Sequence, residues 1–197
     1  NNLSYYDQWA KNWWQRDATV APLNRLNPLR FQFFDRYITH WQGLKVLDVG
    51  CGGGFTCEFL AKRGAHVSGL AQSAACILAA SEHAKANNLN INYQQGSAEQ
   101  LPFDDEAFDV VVCVDVLEHV ESPSQTIAEI SRVLQPGGHF CFDTINRTWQ
   151  SRAVMIWLLE NTLRQIPSGV HDWRKFMTPA EVQEMIEQQQ IKTVTIT

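Results

Sequence analysis

Val46-Leu47-Asp48-Val49-Gly50-Cys51-Gly52-Gly53-Gly54, followed at once by Phe55–Arg63, decides the fold. A short run of strand character passes straight into a turn that holds four glycines in five positions, and a stretch of helical length comes next. Glycines let a backbone approach a ligand closely, and the helix start beyond them offers unpaired N–H groups. The same residues also allow a plain strand-to-helix turn, although four glycines so close together cost chain entropy that only a ligand would offset. The spacing excludes one cofactor class. A dinucleotide fingerprint G-x-G-x-x-G begun at Gly50 needs glycine at position 55, where this chain has Phe55.

Outward from that stretch, Lys45–Gly50, Ala65–Leu70, Ile91–Gln94, Phe108–Cys113 and His139–Asp143 read as five strands, being short and mostly β-branched, aromatic or Cys. Phe55–Arg63, Ser73–Asn87 and Ser122–Leu134 lie between them with helical length. The order β-α-β-α-β predicts an α/β fold with a mostly parallel sheet and helices on both faces. Ser122-Pro-Ser-Gln125 and Thr178-Pro-Ala-Glu181 each carry an N-cap, a proline at the first helical position and a side chain that reaches back. Gln135-Pro-Gly-Gly138 predicts a tight turn into the fifth strand. The texture predicts one domain over 1–197: an aromatic, Arg-rich helical cap over 1–40, a core over 41–144, and a second cap with a last helix and strand over 145–197.

Composition agrees with a globular chain. The 197 residues are 45% apolar and 19% charged, and no run of about 20 apolar residues is present to span a bilayer. Sixteen Lys and Arg against 21 Asp and Glu give a net charge of −5, spread without blocks, so nucleic acid is not an expected partner. The five cysteines form no C-x-x-C pair and read as reduced core thiols of a cytoplasmic protein. Residues 1–15 lack the layout of a secretory signal; because residue 1 is Asn, an organelle address removed upstream stays open.

The glycine turn preceded by Asp48 resembles the S-adenosylmethionine-dependent class I methyltransferases. Over roughly the whole chain the resemblance narrows to the O-methyltransferases of ubiquinone biosynthesis, carried by Leu26-Asn-Pro-Leu-Arg30, Asp115-Val-Leu-Glu-His-Val120, Thr144-Ile-Asn-Arg147 and His171-Asp-Trp-Arg-Lys-Phe176. It implies a Rossmann-like sheet with S-adenosylmethionine across its carboxyl ends and a hydrophobic, polyprenylated phenol or catechol as acceptor. It also implies that Arg30 reaches the cofactor's methionine carboxylate. Asp48 and the Gly50, Cys51, Gly52 and Gly54 loop would hold the methionine end, Ala98 and Glu99 would flank the adenine, and Val114 would line the site. Arg30 also reads as a surface helix arginine, whereas a carboxylate inside an apolar strand, such as Asp48, is costly to bury unless it serves something. One departure stands out. The acid that grips a ribose at the tip of the second strand is replaced by Ala71-Gln72, which predicts a weakened cofactor pocket unless Gln72 or a water substitutes.

If residues 115–120 wind into a helical turn, Asp115, Glu118 and His119 share one face and could hold Mg²⁺, Mn²⁺ or Zn²⁺; the resembling family includes members with a metal at such a cluster. A solvated acidic turn is the equal alternative. Methyl transfer requires alignment of the acceptor and removal of its proton, and a phenol's pKa of about 10 makes the proton the obstacle. His119 is one candidate base, though it cannot also serve a metal. His171, beside Asp172, is the second, with packing on Trp173 as its bland reading.

Three functions remain in competition: O-methylation of a hydrophobic phenol, C- or N-methylation of another small molecule, and an inactive cofactor-binding homologue, which Ala71 would favour. Base-amino and cytosine-carbon methylation are excluded, because the chain has no Asn/Asp-Pro-Pro-aromatic motif and no Pro-Cys pair. The resembling family ends in two further strands and Ile191–Thr197 leaves room for one, which predicts that the family's C-terminal end is missing. Ala153-Val-Met-Ile-Trp-Leu-Leu159 is apolar around nearly two helical turns. It is predicted to cap the acceptor pocket with Tyr5–Trp14 and to dip into a membrane surface, or else to complete the core.

Overall fold

The computed structural model describes residues 4–162 and 172–196. Its centre is a five-stranded parallel sheet of β1 (Lys45–Val49), β2 (His66–Ala71), β3 (Ile91–Gln95), β4 (Phe108–Val114) and β5 (Leu134–Asp143), in the order β3-β2-β1-β4-β5. All five expected strands form. From β1 the chain steps outward through β2 and β3, then returns to lay β4 against the other side of β1. The neighbouring strands β1 and β4 therefore mark the switch point, the place outside the strand ends where open α/β sheets bind ligands.

Helices cover both faces. α2 (Ala21–Phe34) and α3 (Phe55–Ala61) accompany a core of Phe31, Phe34, Trp41, Val46, Cys57, Leu60, Val67, Val110 and Val112. α5 (Pro123–Val133) and α7 (Pro179–Gln188) lie with Leu47, Val49, Val111, Ile127, Ile130, Val182 and Ile186 on the other. The alternation Val46-Leu47-Asp48-Val49 thus feeds both cores, and it turns Asp48 toward α3. α4 (Ala74–Ala86) meets β3 and α1 (Ser4–Ala10). Both N-caps form: Ser122 Oγ accepts from the Gln125 amide at 3.3 Å, and at Thr178 the expected reach-back is also made, Thr178 and Glu181 completing a reciprocal capping box.

Three expectations change. β5 begins at Leu134, and Pro136-Gly137-Gly138 lie within it as an irregularity, because the pairing with β4 slips between Phe108 and Val110. Residues 191–196 form no strand: β-branched composition cannot substitute for a ladder partner, and Ile191 instead packs on the core beside α7. The apolar stretch follows the short turn α6 (Trp149–Ser151) and winds as a π-helix over Arg152–Thr162. It does not complete the core, since Val154 and Trp157 are exposed, the latter at 67%. Among the described residues no helix is long and apolar enough to cross a membrane.

Candidate active site

A cavity of about 460 Å³ opens at the switch point, between the ends of β1 and β4. The glycine turn forms its floor. Gly50 has φ +77°, a left-handed conformation, and a Cβ there would overlap Val116; its amide and that of Cys51 both donate to the Leu70 carbonyl, at 2.8 and 2.9 Å. Glycine at 52 and 53 answers a different need. The indole of Trp13, 4% exposed, lies against both, and a Cβ at Gly53 would enter the ring. Next to it, Trp14 donates its indole N–H to the Gly53 carbonyl at 2.9 Å and stacks on His83 with centroids 3.6 Å apart. The aromatic N-terminal segment is thereby fastened over the loop, and Tyr6, Trp9 and Trp13 join the cavity wall.

Asp48 projects from β1 into this wall and is 1% exposed. Burial drives its carboxyl up to about 7, against a smaller opposing pull from the Cys57 thiol, which donates to Oδ2 at 3.1 Å, and from Arg30. Glu118 is also buried. Loss of solvent pushes it up to about 7, while Thr144 Oγ1 donates to Oε2 at 2.9 Å. Arg30 reaches in from α2 and is gripped on two sides: its Nε donates to Asp143 and one Nη to Asp115. Asp115 sits at φ +56°, which turns its backbone N–H onto Asp143 Oδ1 at 2.8 Å and its carboxylate onto Arg30. Burial of the guanidinium opposes its charge, but the two aspartates prevail and its pKa rises.

That left-handed residue removes the expected metal face. Asp115 stands outside the following turn, which closes from the Val116 carbonyl to the His119 amide at 2.8 Å, so the helical spacing of 115, 118 and 119 does not arise. Asp115 is committed to Arg30 and Glu118 to Thr144, while the His119 ring meets Tyr6 edge-on at 6.5 Å. No group of three His, Cys, Asp or Glu side chains placed to hold a metal ion occurs among the described residues. The expected Mg²⁺, Mn²⁺ or Zn²⁺ site is corrected accordingly.

Of the other residues singled out from sequence, Arg30, Asp48, Gly50, Cys51, Gly52, Ala71, Gln72, Ala98 and Val114 all line the one cavity, together with His119. Two do not. Gly54 packs against the Tyr93 hydroxyl and Ala80, and Glu99 turns away to accept from the Ser97 hydroxyl and the Glu121 amide. Burial acts to raise Glu99, but these donors outweigh it and hold its carboxyl low. His171 lies outside the described residues. Ala71 presents no acceptor, and the Gln72 amide is 3.4 Å from Ser97 Oγ. Sequence reasoning had not placed Asn27 or Thr144 at the site, nor Asp143 as a partner of Arg30, whereas Met155, in the apolar stretch expected to cap the acceptor pocket, does join the cavity wall. The available signal for Asn27 was its position one turn before Arg30, on the same helical face.

Asp48 and Glu118, raised to about 7 by burial, would be drawn toward their charged forms by a ligand that carries positive charge, while Asp115 is already paired with Arg30. Comparisons with known proteins agree with this architecture. A methyltransferase domain profile matches residues 47–142. The chain is 39% identical to a ubiquinone biosynthesis O-methyltransferase of Pasteurella multocida, over 96% of this chain and 82% of that protein. It is 37% identical to the enzyme of the same name from Coxiella burnetii, over 99% of this chain and 83% of that one. Among solved structures, the YcgJ protein of Bacillus subtilis superimposes with a TM-score of 0.67 at 26% identity, over 82% of this chain and 67% of that chain.

Proposed function

The chain belongs to the ubiquinone biosynthesis O-methyltransferases, S-adenosylmethionine-dependent enzymes of the class I fold, and from that premise we propose that it methylates a phenolic oxygen of a hydrophobic, polyprenylated acceptor in that pathway. The observation that carries the proposal is the cavity at the β1/β4 switch point. It joins the glycine turn and Asp48 to an apolar wall of Tyr6, Trp9, Leu23, Leu26 and Met155.

The cofactor fits what the wall offers. Its sulfonium and ammonium suit a lining rich in carboxylates, and the volume, about 460 Å³, is that of a small-molecule site. When bound it supplies an already activated methyl group. The chain's own residues then have two tasks. The first is placement: Asp48, Gly50, Cys51, Gly52, Gln72, Ala98 and Val114 hold the cofactor, and the aromatic cap excludes water above it. The second is the proton. The phenolic oxygen must lose its proton as it is methylated, and His119, against Tyr6 on the cavity wall, would take that proton. The exposed side chains of Trp149, Val154 and Trp157 suit contact with a lipid surface, where long-tailed acceptors reside.

Methyl-labelled S-adenosylmethionine and a panel of catechols and phenols with short and long tails test the proposal. Label on a phenolic oxygen, favoured by long tails, is the expected result. Label on carbon or nitrogen, or cofactor binding with no transfer to any acceptor, would overturn it; the latter outcome would fit the missing acid at Ala71.

A further inference from the structure

A carboxylate is costly to bury unless its site serves something, and Glu58, in α3 and 1% exposed, lies outside the cavity wall. Both of its oxygens are engaged. Lys62 Nζ donates to Oε2 at 3.0 Å, and the His83 ring, from α4, sets Nδ1 against Oε1. An ionised carboxylate only accepts, so the contact requires a proton on Nδ1 and fixes the plane of the ring. Asn87 Nδ2, 3.2 Å from that nitrogen, donates instead to the His83 carbonyl at 2.8 Å. Trp14 lies flat on the imidazole, with 3.6 Å between centroids and 3° between planes. Its ring edge meets Phe55 at 4.7 Å, and its indole N–H donates to the Gly53 carbonyl at 2.9 Å.

Three contacts therefore run in series, from Glu58 to His83, from His83 to Trp14 and from Trp14 to the glycine turn. Each depends on the one before. Stacked rings slide easily over one another, whereas a hydrogen bond to a carbonyl needs its N–H in one place, so a fixed imidazole is what aims the indole. The effect reaches the cavity through the neighbours of Trp14. Trp13 lies on Gly52 and Gly53, and Tyr6, Trp9 and Trp13 belong to the cavity wall. At the start of α4 the same segment is held again, where the Ser73 hydroxyl donates to Asp7 and the Cys76 thiol to the Tyr6 carbonyl at 3.4 Å. We propose that Glu58 and His83 are positioning residues for cofactor retention: they aim Trp14 at the Gly53 carbonyl and so hold the N-terminal cap closed over the glycine turn, without touching the ligand. Net stability is not the gain, since a buried carboxylate with its partners roughly breaks even against apolar packing; fixed geometry is. This role rests on the reading that the cavity holds S-adenosylmethionine, and it adds that the rate of cofactor release is set by a cluster outside the cavity wall.

Release of radiolabelled S-adenosylmethionine from the full chain, chased with excess unlabelled cofactor, tests the inference. Trp14→Leu removes the stack and the N–H while keeping an apolar side chain against Phe55, and His83→Ala removes the supporting ring. Each is expected to speed release about tenfold. Because the contacts act in series, the double variant should stay within about twofold of the faster single one. Glu58→Gln keeps an oxygen that accepts from Nδ1 and should release within about twofold of wild type, whereas Glu58→Leu leaves the ring unaimed and should match His83→Ala. Glu58→Leu takes the place of His83→Ala in the cycle if that variant does not fold. Amide exchange should quicken over residues 4–14 in the fast-releasing variants and hold at the wild-type level in β1. Wild-type release from Trp14→Leu, additive effects in the double variant, or release from Glu58→Gln as fast as from Glu58→Leu overturns the inference and leaves the cofactor reading standing. A wild-type chain that binds no S-adenosylmethionine defeats the cofactor reading, and the inference with it.

Discussion

Replacing Asp48 with asparagine isolates the largest electrostatic liability in the site. The Asp48 carboxyl titrates near 7 in the fold, against an ordinary 3.8, because burial disfavours its charge more than Cys57 and Arg30 support it. A carboxyl whose pKa is raised on folding stabilises the fold below its unfolded pKa, and that contribution is lost as pH climbs through the folded value. The window here runs from about pH 4 to about pH 8. From 3.8 to about 7, at about 1.4 kcal/mol per pH unit, the loss is about 4 kcal/mol, an upper figure that structural relaxation reduces. The substituted amide stays neutral throughout and can still turn its carbonyl toward the Cys57 thiol. Urea unfolding of both ligand-free proteins at intervals across that window gives the difference directly, and contributions from Glu118 cancel in it. The Asp48→Asn variant should match wild type near pH 4 and exceed it by about 2–4 kcal/mol at pH 8, while the thermal stabilisation by S-adenosylmethionine disappears. Parallel pH curves would refute the argument, since they would mean that the carboxylate is not desolvated in the ligand-free fold.

Glu118→Gln should show the same sign, with a gain of about 3 kcal/mol at pH 8 by urea unfolding, because that carboxyl is pushed from 4.5 to about 7. Ala71→Asp should tighten S-adenosylmethionine tenfold to a hundredfold by calorimetry, at about 1.4 kcal/mol per tenfold; unchanged or weaker binding would mean that the ribose is held elsewhere. Gly53→Ala places a methyl inside the Trp13 ring, so it should cost about 1–3 kcal/mol and shift tryptophan fluorescence to the red, whereas an unshifted spectrum would contradict the close packing. Trp157→Ser with Leu158→Ser should reduce binding to anionic liposomes and raise KM for long-tailed acceptors only. Equal losses for short and long tails, with a lower melting temperature, would assign those residues to packing.

What the sequence determined by itself is local or periodic. Strand β1, its glycine turn and α3 announce themselves through composition, and so do the caps at Ser122 and Thr178, because each depends on neighbours within a few residues. The alternation of strands and helices then constrains the sheet to be parallel. It gathers Asp48, Ala71, Ala98 and Val114, from four separate stretches, at one cavity. Tertiary structure decided what depends on partners distant in sequence. The helical spacing of Asp115, Glu118 and His119 suggested a shared face, but Arg30 and Asp143, 85 and 28 residues away from Asp115, hold that aspartate in a left-handed bend outside the turn. Gly53 and Gly54 read as ligand-approach glycines, yet they admit Trp13 and Tyr93. Asn27 was visible only as part of a motif, because a side chain's burial is a property of the packed whole. The β-branched run 191–196 lacked the one thing that composition cannot provide, a neighbouring strand edge to complete its backbone hydrogen bonds.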